Sequence, residues 1–173
     1  MLKIKAPVSR VIDGDTITIP WSAETEDQIT QQFTTPRRTR DEIPIRFFGV
    51  DAPELGQMPW GDRAKQRLAQ LLKPIESSLI LQVTSVDRYS RVVAEPWIDD
   101  PMAGMVPLNI QLLSEGLCTI YPRWLRNSER LNAYLEAYEH ARQQKLGVWS
   151  DSTFVVPSQW RRNQKNARRT AEE

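Results

Sequence analysis

The sequence predicts an α+β domain that is mainly β, with antiparallel strands and a few packed helices. Two kinds of segment support this class. Segments rich in Val, Ile and Thr and bounded by turn residues read as strands: 8–19, 43–50, 79–86 and 92–98. Segments with apolar residues at helical spacing read as helices: 63–72, 106–113 and the stretch beginning near Leu131. Because strands and helices do not alternate regularly, a parallel α/β sheet is not expected.

The strands are marked by their turns. The first is interrupted by Asp13-Gly14, a pair that favours a hairpin or bulge. The second ends in the turn 51–54, where Pro53 disfavours helix at the preceding residue. The last two are joined by the polar loop 87–91, which indicates an antiparallel pair. Residues 21–44 lack periodicity and predict a long surface loop.

The helices follow apolar stripes with ordinary start and stop residues. Pro74 ends the first, Pro107 lies in the first turn of the second, and Ser128 and Gly147 flank the third. The first stripe is Ala64, Leu68, Leu71 and Leu72, and the last is Leu131, Tyr134, Leu135, Tyr138 and Ala141. Five short strands wrapped as a small barrel, with helices packed against it, give an OB-like arrangement, which often binds polyanions on one face.

Composition sets the domain organisation. A chain of 173 residues that is 40% hydrophobic, with six Trp, has enough material for one core. We therefore expect one domain over 1–150, followed by a basic, mobile tail over 151–173. The chain has 23 basic and 22 acidic residues, so any electrostatic attraction for nucleic acid must be local.

Cysteine and histidine usage restricts the kinds of site. One Cys, Cys118, excludes an internal disulfide, and one Cys with one His excludes a structural zinc site. A metal would be bound through oxygen. No segment resembles a signal peptide or a membrane span. Localisation stays open, because the chain is cytoplasmic as written but would look the same after removal of an export signal.

Three acidic residues and two arginines are the candidate functional residues. Asp15, Asp51 and Glu54 each have an ordinary explanation as a turn or helix-capping residue. Arg46 lies in the same strand segment as Asp51, and Arg91 closes the loop 87–91. Together they suit phosphoryl chemistry, because carboxylates bind hard cations and guanidinium groups match phosphate oxygens.

Three ordered motifs make the sequence recognisable: Val-Ile-Asp-Gly-Asp-Thr at 11–16, Arg-Phe-Phe-Gly-Val-Asp-Ala-Pro-Glu at 46–54 and Asp-Arg-Tyr-Ser-Arg at 87–91. Further similarity follows in Leu108-Asn109 and in Lys145-Leu-Gly-Val-Trp149. The chain resembles the staphylococcal nuclease, or thermonuclease, family from about Lys5 to Trp149.

The resemblance implies a five-stranded OB-fold barrel with three α-helices and one bound calcium ion. It assigns the carboxylates of Asp15 and Asp51 and the backbone carbonyl of Ala52 to the metal. It assigns Arg46 and Arg91 to the phosphate. The expected activity is hydrolysis of DNA, with RNA as a second candidate substrate, to products with 3′-phosphate ends.

The same resemblance places Glu54 at the position of the general base. Tyr89 and Tyr121 are candidate substrate-binding residues, by stacking on a base or contacting phosphate; a packing role is as plausible for Tyr89. Ser90 stands where the family has glycine, which predicts a loop less able to turn left-handed.

Basic residues outside these motifs add a further expectation. Arg37, Arg38, Arg40 and the basic tail could make salt-sensitive phosphate contacts or could be solvated charges. We expect a monomer with nucleic acid as its substrate and no membrane partner. Two alternatives remain open at this stage: a non-catalytic module that binds nucleic acid or peptide, and a binder of a small phosphate ligand.

Overall fold

The computed structural model describes residues 1–36, 41–73, 79–100, 102–126 and 129–171. The basic cluster Arg37, Arg38 and Arg40 and the predicted cap Ser128 lie outside these ranges, as does Pro74. The described residues form a mixed α+β structure with strands and helices interleaved along the chain. Within them, no helix has both the length and the apolar character that a bilayer span requires.

Nine strands are found in the described ranges. Their bounds are β1 Leu2–Ala6, β2 Arg10–Val11, β3 Thr16–Pro20, β4 Glu42–Phe47, β5 Val50–Asp51, β6 Leu79–Val86, β7 Val92–Asp100, β8 Gly104–Pro107 and β9 Thr119–Ile120. Seven of them form one sheet in the order β1-β6-β7-β4-β3-β2, with β8 paired to β7. The other two, β5 and β9, form a small antiparallel sheet. All neighbours in the large sheet are antiparallel except β4 and β7, which run parallel.

Six α-helices accompany the sheets in the described part. Their bounds are α1 Ala23–Thr30, α2 Trp60–Leu72, α3 Leu108–Ser114, α4 Pro122–Leu125, α5 Leu131–Gln143 and α6 Pro157–Ala171. A 3-10 turn spans Gly147–Ser150. The three helices predicted from the sequence correspond to α2, α3 and α5. In α5 the buried residues are Tyr134, Ala137 and Ala141, whereas Leu135 of the predicted stripe is exposed.

The core lies between the large sheet and the helices. It includes Ile17 and Ile45 on neighbouring strands, Leu68 of α2 and Leu112 of α3, all fully buried. Cys118 is also buried and free of any disulfide, as its apolar surroundings in the sequence predicted. Burial of this many large apolar side chains, at roughly 1.5–3 kcal/mol each, is the main force that holds strands and helices together.

The α+β class is confirmed, but the predicted closed five-stranded barrel is not what the described residues form. The end strands of the large sheet, β1 and β2, do not pair with each other, so the sheet stays open. The predicted strand 43–50 is divided, because Gly49 adopts a left-handed φ of 75° and turns the chain between β4 and β5. Strand β5 therefore joins a separate sheet.

The prediction of an unstructured loop over 21–44 was wrong in its first half. Helix α1 forms there, because the Ser22 side chain accepts a hydrogen bond from the Thr25 N–H and Glu24 and Glu26 lie in the first turn. Its one buried residue, Ile29, attaches it to the core. The helix was missed because a single apolar anchor gives no visible period.

The tail beyond residue 150 has more regular structure than its composition indicated, and its mobility stays a prediction. Residues 157–171 form the helix α6, and contacts of Val155, Trp160 and Arg161 attach its N-terminal end to the rest of the structure. Most of its side chains are exposed and polar, so the sequence carries no apolar stripe that predicts docking. The contacts that hold α6 are polar and aromatic, as described below.

Candidate active site

The turn before β3 places Asp15 beside Arg46. The Asp15 N–H donates to the Asp13 side chain, and the Phe47 N–H donates to the Asp15 carbonyl at 2.8 Å. In the β3–β4 register Thr16 lies opposite Arg46, and Asp15 directly precedes Thr16, so Asp15 comes close to the arginine. An Arg46 Nη1–Asp15 Oδ2 ion pair of 2.9 Å follows from this pairing.

Strand β5 brings Asp51 to the same arginine. Asp51 lies opposite Thr119 of β9, whose hydroxyl donates to the Asp51 carbonyl at 3.1 Å. The Arg46 Nη2 atom lies 3.2 Å from Asp51 Oδ1. The next amide, Ala52 N–H, donates to Asp15 Oδ2 at 2.5 Å. Two carboxylates from distant parts of the chain are therefore joined by one guanidinium fork.

These three charged side chains are buried. Asp15, Arg46 and Asp51 are 5%, 6% and 3% exposed. Burial raises the pKa of Asp15 above its ordinary range, and the positive charge of Arg46 counteracts this effect. Removing one partner from such a buried set costs about 3–5 kcal/mol, because it leaves an uncompensated charge. A folded chain thus keeps the two acids and the arginine together.

The β6–β7 loop is ordered around the carboxylate of Asp87. That carboxylate accepts from the Tyr89 N–H at 2.9 Å, the Arg91 N–H at 3.0 Å and the Arg91 Nε at 2.9 Å. Ser90 adopts φ 58°, so the left-handed turn forms despite the missing glycine. The Arg91 guanidinium lies 5.5 Å from the Tyr89 ring centroid. Arg91 is therefore held in place before any ligand arrives.

Glu54 lies in the turn between β5 and α2. Its backbone N–H donates to Gln57 Oε1 at 3.0 Å, and its carbonyl accepts from the Gln57 N–H at 2.8 Å. Its carboxylate Oε1 accepts from Arg161 Nη1 at 2.6 Å. Arg161 Nη2 also lies 2.9 Å from Asp51 Oδ2. Helix α6 thus contributes a third arginine to the site.

One cleft of about 500 Å³ is lined by all eight residues that the sequence predicted for the site. These are Asp15, Arg46, Asp51, Ala52, Glu54, Tyr89, Arg91 and Tyr121. Tyr121 stacks edge-on against Trp124 with ring centroids 4.7 Å apart. The structure therefore brings every candidate together, while their roles remain predictions.

The cleft also contains residues that sequence reasoning did not assign to it, namely Asp13, Thr16, Pro53, Ser85, Val86, Asp87, Arg88, Arg123, Trp124 and Arg161. Asp13 and Asp87 lie inside recognised motifs and act by ordering the backbone of their turns. Trp124 lies with its ring centroid 5.6 Å from the Arg46 guanidinium carbon. Arg161 lies in the basic tail, where nothing in the sequence distinguishes it from its basic neighbours.

The donor set suits a hard cation but is not a complete protein cage. Within the described ranges no group of three Asp, Glu, His or Cys side chains has an arrangement that could hold a metal. Asp15 and Asp51 supply carboxylate oxygens that converge on one guanidinium, and the group of Ala52 that contacts Asp15 is its N–H, a hydrogen-bond donor. Calcium takes six to eight oxygen ligands, so carbonyl, water and phosphate oxygens would have to complete its shell.

The chain is similar to known proteins over most of its length. The family described as "Staphylococcal nuclease homologue" matches residues 44–151. A "Micrococcal nuclease" of Shigella flexneri is 33% identical, with 94% of this chain and 83% of that protein covered. "Protein ParB" of Escherichia coli is 28% identical, with 96% and 84% covered. An "Uncharacterized endonuclease" of Haemophilus influenzae is 27% identical, with 91% and 73% covered.

Proposed function

This chain belongs to the staphylococcal nuclease family, and we propose on that premise that it is a calcium-dependent nuclease that hydrolyses phosphodiester bonds of DNA or RNA. The observation that supports it is the convergence in one cleft of the buried aspartates Asp15 and Asp51 with Glu54 and with three arginines held by carboxylates, Arg46, Arg91 and Arg161. Fixed charges of both signs in a shared cleft are what phosphodiester hydrolysis requires.

The arginines account for recognition of the phosphate. Negative charge grows on the non-bridging phosphate oxygens as water attacks, and preorganised cations near those oxygens stabilise it. Arg46 is fixed between Asp15 and Asp51, and Arg91 is fixed by Asp87, so neither has to be ordered during the reaction. Loss of one such contact typically slows an enzyme by about 10²–10³-fold.

The metal site proposed here consists of the Asp15 and Asp51 carboxylates and the Ala52 carbonyl. When bound, a calcium ion supplies charge neutralisation at the scissile phosphate. The structural support is the chemistry of the donors: two buried carboxylates bound to the same guanidinium place oxygen ligands close together. A buried pair of this kind also favours a hard divalent cation over softer metals.

Glu54 is the proposed general base. Its carboxylate takes a proton from the attacking water, whose oxygen forms a bond to phosphorus while the bond to the 5′ oxygen breaks. The 5′ oxygen takes a proton from solvent water and leaves as a hydroxyl, and the other product keeps a 3′-phosphate. Glu54 is 37% exposed on its side chain, so water reaches it, and general base catalysis typically contributes about 10²–10⁴-fold.

Two tyrosines provide surfaces for the nucleotide bases. Tyr89 is 55% exposed at the cleft, and Tyr121 lies beside Trp124 on the same cleft. Stacking of a base on an aromatic ring is worth about 1–3 kcal/mol and does not depend on sequence. We therefore propose weak base preference for the substrate.

The competing hypothesis is a nuclease-like module that binds nucleic acid without cutting it. The retained acidic residues argue against it, because burial of Asp15 and Asp51 beside Arg46 costs free energy that simple phosphate binding does not require. A pure binding module is better served by arginines alone.

The test is digestion of plasmid DNA, single-stranded DNA and RNA with a panel of divalent metals. We expect cleavage with millimolar calcium, arrest by a chelator, and product ends that a 3′-phosphatase converts to hydroxyls. The absence of digestion at micromolar protein, together with a stable shift of the same DNA in a gel, would support the binding module instead.

A further inference from the structure

The turn that carries Glu54 is bound by the segment that leads into α6. The buried side-chain amide of Gln57 accepts one hydrogen bond and donates another, to two different segments of the chain. Its Oε1 accepts from the Glu54 N–H at 3.0 Å, and its Nε2 donates to the Val155 carbonyl at 2.8 Å. One buried amide therefore links the backbone of Glu54 to a residue about a hundred positions later.

Two aromatic side chains strengthen this docking. Trp160 of α6 packs on Gly56 so closely that a Cβ added there would lie 3.1 Å from its Cη2 atom. Trp60 Nε1, at the start of α2, donates to Asp151 Oδ2 at 2.9 Å. Asp151, Val155 and Trp160 thus fix the segment that leads into α6, and the start of that helix, on the turn and helix that follow Asp51.

These contacts aim Arg161 at the carboxylate of Glu54. Nη1 donates to Glu54 Oε1 at 2.6 Å and to Asp51 Oδ1 at 3.2 Å, while Nη2 donates to Asp51 Oδ2 at 2.9 Å. In the part of the chain that the structure describes, no other residue donates to the Glu54 carboxylate. A half-exposed glutamate in a turn otherwise samples several rotamers, and ordering it costs entropy.

We propose that Arg161 is a positioning residue for Glu54 and that residues 151–161 belong to the active site. The planar guanidinium fork fixes the Glu54 carboxylate next to Asp51, and Gln57 fixes the backbone of the same residue. Apart from residue 151 itself, this segment lies beyond the part of the chain that the nuclease family matches. The inference rests on the function proposed above, because it assigns Arg161 a role through the general base.

Action through Glu54 has a kinetic signature. If Arg161 orients the base, its removal lowers kcat and leaves KM nearly unchanged, since the base acts in the transition state and does not hold the substrate. If Arg161 instead binds substrate phosphate in the ground state, KM rises. If it merely blocks the carboxylates, its removal speeds cleavage.

The experiment compares steady-state cleavage of a single-stranded oligonucleotide by the parent, Arg161→Ala, Arg161→Lys and the control Arg162→Ala. Arg162 is the next arginine on α6, is exposed, and donates a hydrogen bond to Gln159 of the same helix. We expect Arg161→Ala to lower kcat by about 10–10²-fold with KM within about threefold, as misplacement of a catalytic group does. Arg161→Lys recovers part of the loss, and Arg162→Ala keeps the parent rate.

Stability and coupling measurements separate positioning from a structural role. Arg161 is 42% exposed on its side chain, and its buried partner Asp51 keeps the ion pair with Arg46, so the thermal midpoint of Arg161→Ala should stay near that of the parent. In a double-mutant cycle, Arg161→Ala should add less than about threefold to the loss caused by Glu54→Gln. A full independent loss in that background, or a parent-like or faster rate for Arg161→Ala, overturns the inference while leaving the proposed function intact. A parent protein that does not cleave overturns both.

Discussion

Gly14→Ala tests how the site is assembled, because this glycine lies directly before Asp15 at a point of close packing. A Cβ at Gly14 would lie 2.6 Å from the Ala64 Cβ and 2.7 Å from the Ala52 Cβ. Carbon atoms in contact are normally about 3.5–4.0 Å apart, so about 1 Å of displacement is needed on two sides. Both neighbours are themselves buried, so neither yields without moving α2 or the chain next to Asp51.

Two effects of known size follow from that displacement. Overpacking of this kind costs about 1–3 kcal/mol of folding free energy. A shift of about 1 Å in the Asp15 carboxylate, which bonds both Ala52 N–H and Arg46, should slow cleavage by about 10²-fold. Urea unfolding measures the first effect, and initial cleavage rates of the folded protein measure the second.

Gly104→Ala is the matched control. Gly104 has φ 71°, and an added Cβ there would have no atom within 4 Å. The left-handed strain should cost about 1–2 kcal/mol of stability without any loss of cleavage rate. Cleavage by Gly14→Ala within twofold of the parent would show that close packing at Gly14 does not position Asp15, and so would an equal loss of activity in Gly104→Ala.

Two further predictions concern the core network and the basic helix. Tyr134→Phe removes a 2.5 Å hydrogen bond to the buried carboxylate of Glu95, so it should lower the unfolding free energy by about 1.5–3 kcal/mol. The control Tyr138→Phe should change the unfolding free energy by less than about 0.5 kcal/mol. Equal urea midpoints for the two variants would contradict this prediction. The double variant Lys165→Ala, Arg168→Ala removes two exposed charges that follow Arg161 along α6. It should reduce the slope of the log binding constant for single-stranded DNA against log salt concentration by about 1–2. An unchanged slope in a filter-binding series would show that these two residues do not contact phosphate.

Much of the site was predictable because its residues sit in motifs with local causes. Residues that favour turns are visible in the sequence at three places: Asp13-Gly14, Ala52-Pro53 and the loop 87–91. Those turns carry Asp15, Glu54 and Arg91. When the neighbouring strands pair, these three side chains line the same cleft.

The remainder depends on contacts between distant segments. Arg161 is one of several basic residues in a polar tail, and only the docking of Trp160 and Val155 singles it out. The division of the second strand at Gly49 depends on a single left-handed residue. Whether a sheet closes into a barrel depends on the pairing of its end strands, which local patterns do not encode. Helix α1 was missed for the opposite reason, since a good N-cap was present but only Ile29 is buried.

The single-turnover rate of DNA cleavage in calcium by Glu54→Gln and Arg91→Ala shows whether this cleft performs the hydrolysis. Matched controls are Glu139→Gln and Arg142→Ala, an exposed ion pair on α5. We expect both site variants to be slower than the parent by about 10²-fold or more while the controls keep the parent rate and all four remain folded. Parent-like cleavage by both site variants would mean that the hydrolysis takes place outside this cleft.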